Sequence, residues 1–452
     1  MNQMRARLEE AAATPPADDL DLAAVLAGGR RAVRRRRTRL AGGLAVVAVG
    51  AVAVGSLAGQ GVDGRDAPAA SAVPRPEGPV TRLSDAVPAK SGVDYDLLAK
   101  YTNHDLNRDN GQYYDGVTTD GLILFRDGPH GAHNKVRYAL LDPATGKKDW
   151  LPGLDEQEQL WPVDLGAERL VLTSFGVVDP ADGGNDLSGS LRAHVYDRAS
   201  RTWTTTTWAG LPPVHSGRVP VLGPQGRLYV GVPATQGSPP PGGWPTGPDG
   251  EADDAGAEGE TYDLWSVSPT DPADARDEHL RVGAVAFTDD AMVWSAATNG
   301  KNDRIHVRDL ATGAEHDFDP RSGKRCNLLS FGAVGDRIVA SEYCGTYDDG
   351  RDDRVQVLTT DGEPVTTIQG DGIDGTVNGG LVQVTSYARK AAGSYVYEPD
   401  TGRFVRLSDG VSSWGLGGPT PPGYVLWHTP VGEMSDDPDA VAGATQWLAR
   451  WR

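Results

Sequence analysis

Three groups of side chains in this chain have the types and spacing for ion chemistry. Asp105, Asn107 and Asp109 alternate as oxygen ligands in Asp105-Leu-Asn-Arg-Asp-Asn-Gly111, the order in which calcium loops offer them. Gly116 stands where such a loop carries its bidentate Glu, and Asn110 where it carries Gly, so a polar turn is the competing reading. His130 and His133 lie three apart in a Gly-rich stretch, two imidazoles of a zinc set that needs a third ligand, or simply a solvated loop. Acidic clusters recur farther along: Asp179, Asp182 and Asp186; six acids between Asp249 and Glu260; Asp348, Asp349, Asp352 and Asp353; Asp436, Asp437 and Asp439. On one face they would form a candidate ligand surface for a basic partner or for cations, against the plainer role of keeping the chain soluble. There is no phosphate-binding Gly-Lys loop, no Gly-x-Ser-x-Gly elbow, no His-Glu-x-x-His and no Cys-x-x-Cys. No catalytic residue is named on sequence grounds.

The elements that must position these residues repeat. Gly and Pro supply 58 and 32 of 452 residues, which favours short strands and many turns. Apolar strands begin at 122, 170, 228, 292, 338, 381 and 424, each after a turn such as Asp120-Gly121, Gly335-Asp336 or Asn378-Gly379-Gly380. A second turn follows most of them: Asp142-Pro-Ala-Thr-Gly146, Asp309-Leu-Ala-Thr-Gly313 and Glu398-Pro-Asp-Thr-Gly402. Gly takes a positive φ there while the acid and Thr bond the backbone, the chemistry of a hairpin. Four short strands per unit, seven times over, predict an all-β, seven-bladed β-propeller over residues 79–452. The Asp-x-x-Thr-Gly turn resembles the blade turns of quinoprotein-like and WD40/YVTN-like propellers. Asp142 to Trp150 is most similar to the quinoprotein pattern, with Trp150 at the expected place. The resemblance implies architecture; no residue set carries over a quinone cofactor, and none is expected. The last repeat lacks an outer strand, and Val80-Thr-Arg-Leu-Ser-Asp85 resembles Val405 to Asp409, so an N-terminal strand is expected to close the last blade.

The cysteines fit this frame. Cys326 and Cys344 flank Gly335 by nine residues on each side, so a hairpin centred there brings them face to face as a disulfide. Two buried thiols are the alternative.

Charge divides the chain. Residues 1–39 hold nine Arg against five acids, while the remainder holds 34 basic and 57 acidic residues. So acidic a body repels phosphate backbones, and nucleic acid is not an expected partner. Leu40–Gly59 is an uncharged run of twenty residues, about 30 Å as a helix and enough to span a bilayer core. The arginines before it place the N-terminus in the cytoplasm and residue 60 onward outside. A retained anchor is expected over a cleaved signal peptide, because the stretches before and within the run exceed signal-peptide lengths. The expected order is thus a basic cytoplasmic segment (1–39), a transmembrane helix (40–59), a linker (60–78) and an extracytoplasmic propeller. The N-terminal segment resembles the short cytosolic tails of bacterial membrane proteins that accompany sigma factors. The expected role is non-enzymatic: a binding or scaffold module for a protein, peptide or glycan at the cell envelope. The alternatives are a membrane-tethered signalling regulator with a sensor propeller and, below it, a propeller enzyme. An enzyme would gather acids or His of shifted pKa in the central channel.

Overall fold

The computed structural model describes residues 78–104, 112–128, 136–154, 160–177, 188–216, 218–235, 259–298, 304–322, 326–344, 352–388, 390–411, 418–431 and 443–452. The strands in them form seven sheets, each antiparallel in its own consecutive strands. Blade 1 runs from its innermost strand Gln112–Val117 through Ile123–Asp127 and Arg137–Leu141 to Lys148–Trp150. Blade 2 begins at Trp161–Leu165, blade 3 at Val221–Leu222, blade 4 at Val285–Phe287, blade 5 at Cys326–Val334 and blade 6 at Ile373–Asn378. Blade 7 is built on Tyr424–Val431 and Gly443–Trp451. The only helical pieces among the described residues are single 3-10 turns, Leu83–Asp85 and Pro224–Gly226. No helix among them is long and apolar enough to cross a membrane.

Strand periodicity explains why the blades form a ring. Successive side chains of a strand point to opposite faces, and in the middle strands both faces meet a neighbouring blade. In blade 1, Ile123 and Phe125 join a buried cluster with Tyr424, Leu426 and Leu448 of blade 7. Leu124, between them, joins Leu165, Leu170 and Leu172 of blade 2 instead. All three are essentially inaccessible to solvent. Further apolar clusters fill the joints between blades 2 and 3, 3 and 4, 4 and 5, 5 and 6, and 6 and 7. The core is therefore a set of seven seams, which is why the strand signal in the sequence is a run of consecutive apolar residues. Trp208, Trp294 and Trp427 are buried, while Trp150 lies 39% exposed on an outer strand.

The turns behave as their residues demand. Gly146, Gly313 and Gly402 each have φ near +70°, and Asp309 accepts hydrogen bonds from the backbone N–H of Ala311 and Thr312 and from the Thr312 hydroxyl.

The N-terminal strand does close the last blade, but not with the residues expected. Tyr95–Asn103 pairs antiparallel with Gly443–Trp451 and completes blade 7. Val80–Arg82 lies parallel against the outer strand of blade 5, and Val87–Pro88 parallel against that of blade 6. The chain thus runs along blades 5 and 6 before it closes the ring at blade 7. The short Val-Thr-Arg segment matched an outer strand by residue type, but the nine residues of Tyr95–Asn103 match the full length of Gly443–Trp451.

Candidate active site

The expected disulfide forms between Cys326 and Cys344, with Cα atoms 4.0 Å apart. A regular hairpin about the Gly335-Asp336 turn pairs Val334 with Arg337, and by simple counting would set Cys326 against residue 345. A bulge between Leu328 and Ser330 takes up the extra residue and brings Cys326 opposite Cys344. The pair lies at the joint of blades 4 and 5, where Arg354 and Glu342, both 1% exposed, pack against it. The Arg354 Nη1 is 3.6 Å from Cys326 Sγ and donates to Ser322 Oγ at 2.5 Å, while its Nε donates to Asp352 at 2.7 Å. The Ser322 hydroxyl and N–H both donate to the Glu342 carboxyl. Burial pushes that carboxyl up to about 7, and the Ser322 hydrogen bonds and the Arg354 charge oppose the shift. As a disulfide, the two sulfurs are not available to ligate a metal beside Glu342.

The neighbouring joint holds a second acidic centre. Asp374 is the second residue of the innermost strand of blade 6, half-buried, and reaches toward blade 5. Its Oδ1 accepts from the Gly375 N–H at 2.9 Å and from the Ser330 hydroxyl at 3.4 Å, and Ser341 hydrogen-bonds the same carboxyl. Burial holds the carboxyl above the usual range against those hydrogen bonds, and the nearby Asp353 charge adds to the shift. Asp353 accepts the Gly372 N–H at 2.7 Å. Burial, then the Asp374 charge, raises the Tyr387 hydroxyl. The backbone makes this convergence possible at Gly375, where a Cβ would lie 2.5 Å from the Val355 side chain. A carboxyl raised by burial, a second carboxylate whose charge adds to the shift and a phenol that feels its charge are groups suited to proton-transfer chemistry.

Two more innermost strands carry raised carboxyls. Asp115 of blade 1 is fully buried, and burial raises it although Arg126 Nε donates to it at 2.6 Å. Its Oδ1 has no hydrogen-bond partner among the described residues. Asp164 of blade 2 is raised by burial, with Arg169 3.8 Å away in opposition. Of these acids only Asp374 combines partial exposure with both a second carboxylate and a phenol. A buried Ser174–His194–Thr205 chain in blade 2, at 2.9 and 3.0 Å, is a hydrogen-bonded core element, because Ser174 and His194 are sealed from solvent.

Most residues expected to bind lie outside the described residues: Asp105, Asn107 and Asp109; His130 and His133; Asp179, Asp182 and Asp186; Asp348 and Asp349; Asp436 and Asp437; and the span 40–59. Three of the acids are placed, and one of them, Glu260, accepts the Tyr262 hydroxyl at 3.0 Å. Asp352 and Asp353 alternate across their strand, so Asp352 is engaged by Arg354 and by Gln369 at 2.8 Å, while Asp353 turns to Asp374. They serve two different joints and not one ligand face. Sequence reasoning missed Asp374, Tyr387 and Glu342. Glu342 had a signal, a carboxylate inside the apolar run Ile338-Val-Ala-Ser-Glu-Tyr-Cys344. Asp374 had little, since an Asp-Gly pair reads first as a turn.

No family model matches the chain, and no curated protein matches it by sequence. Similar solved structures include an oligogalacturonate lyase in complex with manganese, 12% identical with TM-score 0.44 over 81% of this chain and 98% of that one. An acylaminoacyl peptidase of Pyrococcus horikoshii is 10% identical with TM-score 0.45 over 76% of this chain and 53% of that one. A puromycin hydrolase S511A mutant is 11% identical with TM-score 0.43 over 71% of this chain and 50% of that one. The chain spans about half the length of these two hydrolases. At such identity the likeness concerns the fold. The expectation of a non-enzymatic binding or scaffold module is corrected at this point: the similar solved structures named here are a lyase, a peptidase and a hydrolase.

Proposed function

We propose that this chain is a propeller hydrolase that works outside a membrane to which residues 40–59 tether it. Asp374 is the general acid, its carboxyl raised by burial with the Asp353 charge adding to the shift, and Tyr387 a hydroxyl that positions the substrate. The observation that carries the reading is Asp374 itself, on the innermost strand of blade 6, bonded across the joint to Ser330 of blade 5, with the Asp353 charge and the Tyr387 hydroxyl near enough to interact with its charge. A carboxyl held neutral by burial and by a second carboxylate can donate a proton to a leaving group near neutral pH. The acidic body favours an uncharged or cationic substrate, a peptide or glycan and not a polyanion.

The test is turnover of chromogenic peptide and glycoside panels by the purified chain and by Asp374→Asn. The amide keeps the shape but has no proton to give, so kcat is expected to fall by about 10²–10⁴-fold. Full activity in Asp374→Asn, or no turnover on any substrate by the parent, would sink the assignment. Carbonate extraction and protease protection in cells check the tether: the protein should resist extraction, with the propeller open to external protease.

A further inference from the structure

The environment of the Cys326–Cys344 disulfide is charged, although a disulfide has no charge to satisfy. It is the last rung of its ladder, joining the first residue of Cys326–Val334 to the last of Arg337–Cys344. Burying an arginine and a carboxyl costs several kcal/mol each unless they are well paired. Arg354 has Asp352 at 2.7 Å for its Nε, but its Nη1 is turned to Cys326 Sγ at 3.6 Å and to Ser322. The Glu342 carboxyl and the two sulfurs lie within 4.8 Å of one another. A guanidinium against sulfur stabilises a thiolate, and a carboxyl beside it can exchange a proton with one.

We propose that Cys326–Cys344 is a reversible thiol–disulfide site, reduced by a protein or small-molecule dithiol, with Cys326 as the leaving sulfur. A thiolate of the dithiol attacks Cys344 Sγ. The S–S bond breaks, and its electron pair goes to Cys326, whose thiolate Arg354 stabilises and Glu342 protonates. The second thiol of the reductant, as thiolate, then attacks its own sulfur in the mixed disulfide. Cys344 leaves as a thiolate and takes a proton from solvent. Two thiols have formed on the chain, and the dithiol has become a disulfide. The sulfurs are shielded, at 2% and 0% exposure, so attack follows opening of the terminal rung and not of the whole blade. Holding the rung, the disulfide ties the entry of blade 5 to its second strand; reducing it frees the Ser322 side of the blade 4–blade 5 joint. The inference is independent of Asp374.

The experiment exposes the full-length protein to dithiothreitol under native conditions, with thiols counted over time by maleimide gel shift. Unfolding is followed in parallel by pulse proteolysis. Reduction is expected to outrun global unfolding, to reverse with glutathione disulfide, and to slow about tenfold in Arg354→Gln, where the thiolate loses its cation. Glu342→Gln keeps one oxygen to accept from Ser322 but cannot supply a proton, and should slow reduction several-fold. It serves as the decisive variant if Arg354→Gln does not fold. Thiols that appear only at the rate of global unfolding would overturn the proposal. So would a folded variant of either residue that reduces at the parent rate.

Discussion

His428 sits in the Tyr424–Val431 strand of blade 7, opposite Gln446, with its Nε2 buried and without a hydrogen-bond partner among the described residues. Burial lowers its imidazole to about 4, and the hydrogen bond with Gln446 only partly offsets that. The sign follows directly. An unfolded imidazole protonates near 6.5, whereas the folded one resists protonation, so the folded state loses ground as acid is added. The contribution is complete above about pH 6.5 and is lost as pH falls toward 4, roughly 3 kcal/mol in all. His428→Gln stays neutral throughout. Urea unfolding of both proteins between pH 7 and 4 should show the parent falling more steeply than the variant. Parallel curves would mean that His428 is not protected from protons. The same scale holds the clearest limit on reading function from sequence. A lone Asp374 or Glu342 looks like any other acid among 62 Asp and Glu until a neighbour's charge and burial are added.

At the scale of the element, each blade must hand its chain to the next without a gap, and the joint of blades 3 and 4 shows how. Gly283 follows the outer strand Ala275–Val282 and precedes Val285–Phe287. Its N–H donates to Ser295 O at 2.7 Å, and its carbonyl accepts Arg218 Nη1 at 2.7 Å. A Cβ there would sit 2.0 Å from the Ala297 carbonyl carbon, so the close approach requires glycine. Gly283→Ala is expected to cost about 1–3 kcal/mol as the two backbones move apart, read as a lower thermal midpoint. An unchanged midpoint would show that the joint has slack. Strands and hairpins of this kind were open to sequence reading, since alternation, Gly-Asp turns and Asp-x-x-Thr-Gly turns are local. The bulge that aligns Cys326 with Cys344 was not, because it answers to packing across the joint and leaves no fixed residue type.

The whole molecule is a ring held by seven seams, and its closure is the step the chain makes with residues farthest apart in sequence. Tyr95–Asn103 caps Gly443–Trp451, and near the terminus Arg452 pairs with Asp96 at 2.7 Å. A chain that starts at Lys90 keeps the closing strand and loses, with the tether, the short parallel additions on blades 5 and 6 and the Leu83 side chain packed into their joint. One that starts at His104 loses the closing strand and leaves Gly443–Trp451 as an open edge. The first is expected to melt cooperatively near the parent temperature. The second should melt earlier and self-associate, as judged by circular dichroism and size exclusion. Equal behaviour of the two would mean that blade 7 does not need its outer strand. Sequence by itself determined the all-β class, the number of blades, the disulfide partners and the asymmetry of charge about residues 40–59. All of these rest on local periodicity, turn chemistry or counting. Only the tertiary structure decided which N-terminal segment closes the ring and which acids meet. A blade lies between two others, and contacts such as Asp374 with Ser330 or Arg354 with Cys326 depend on how strands from different parts of the chain are set against each other.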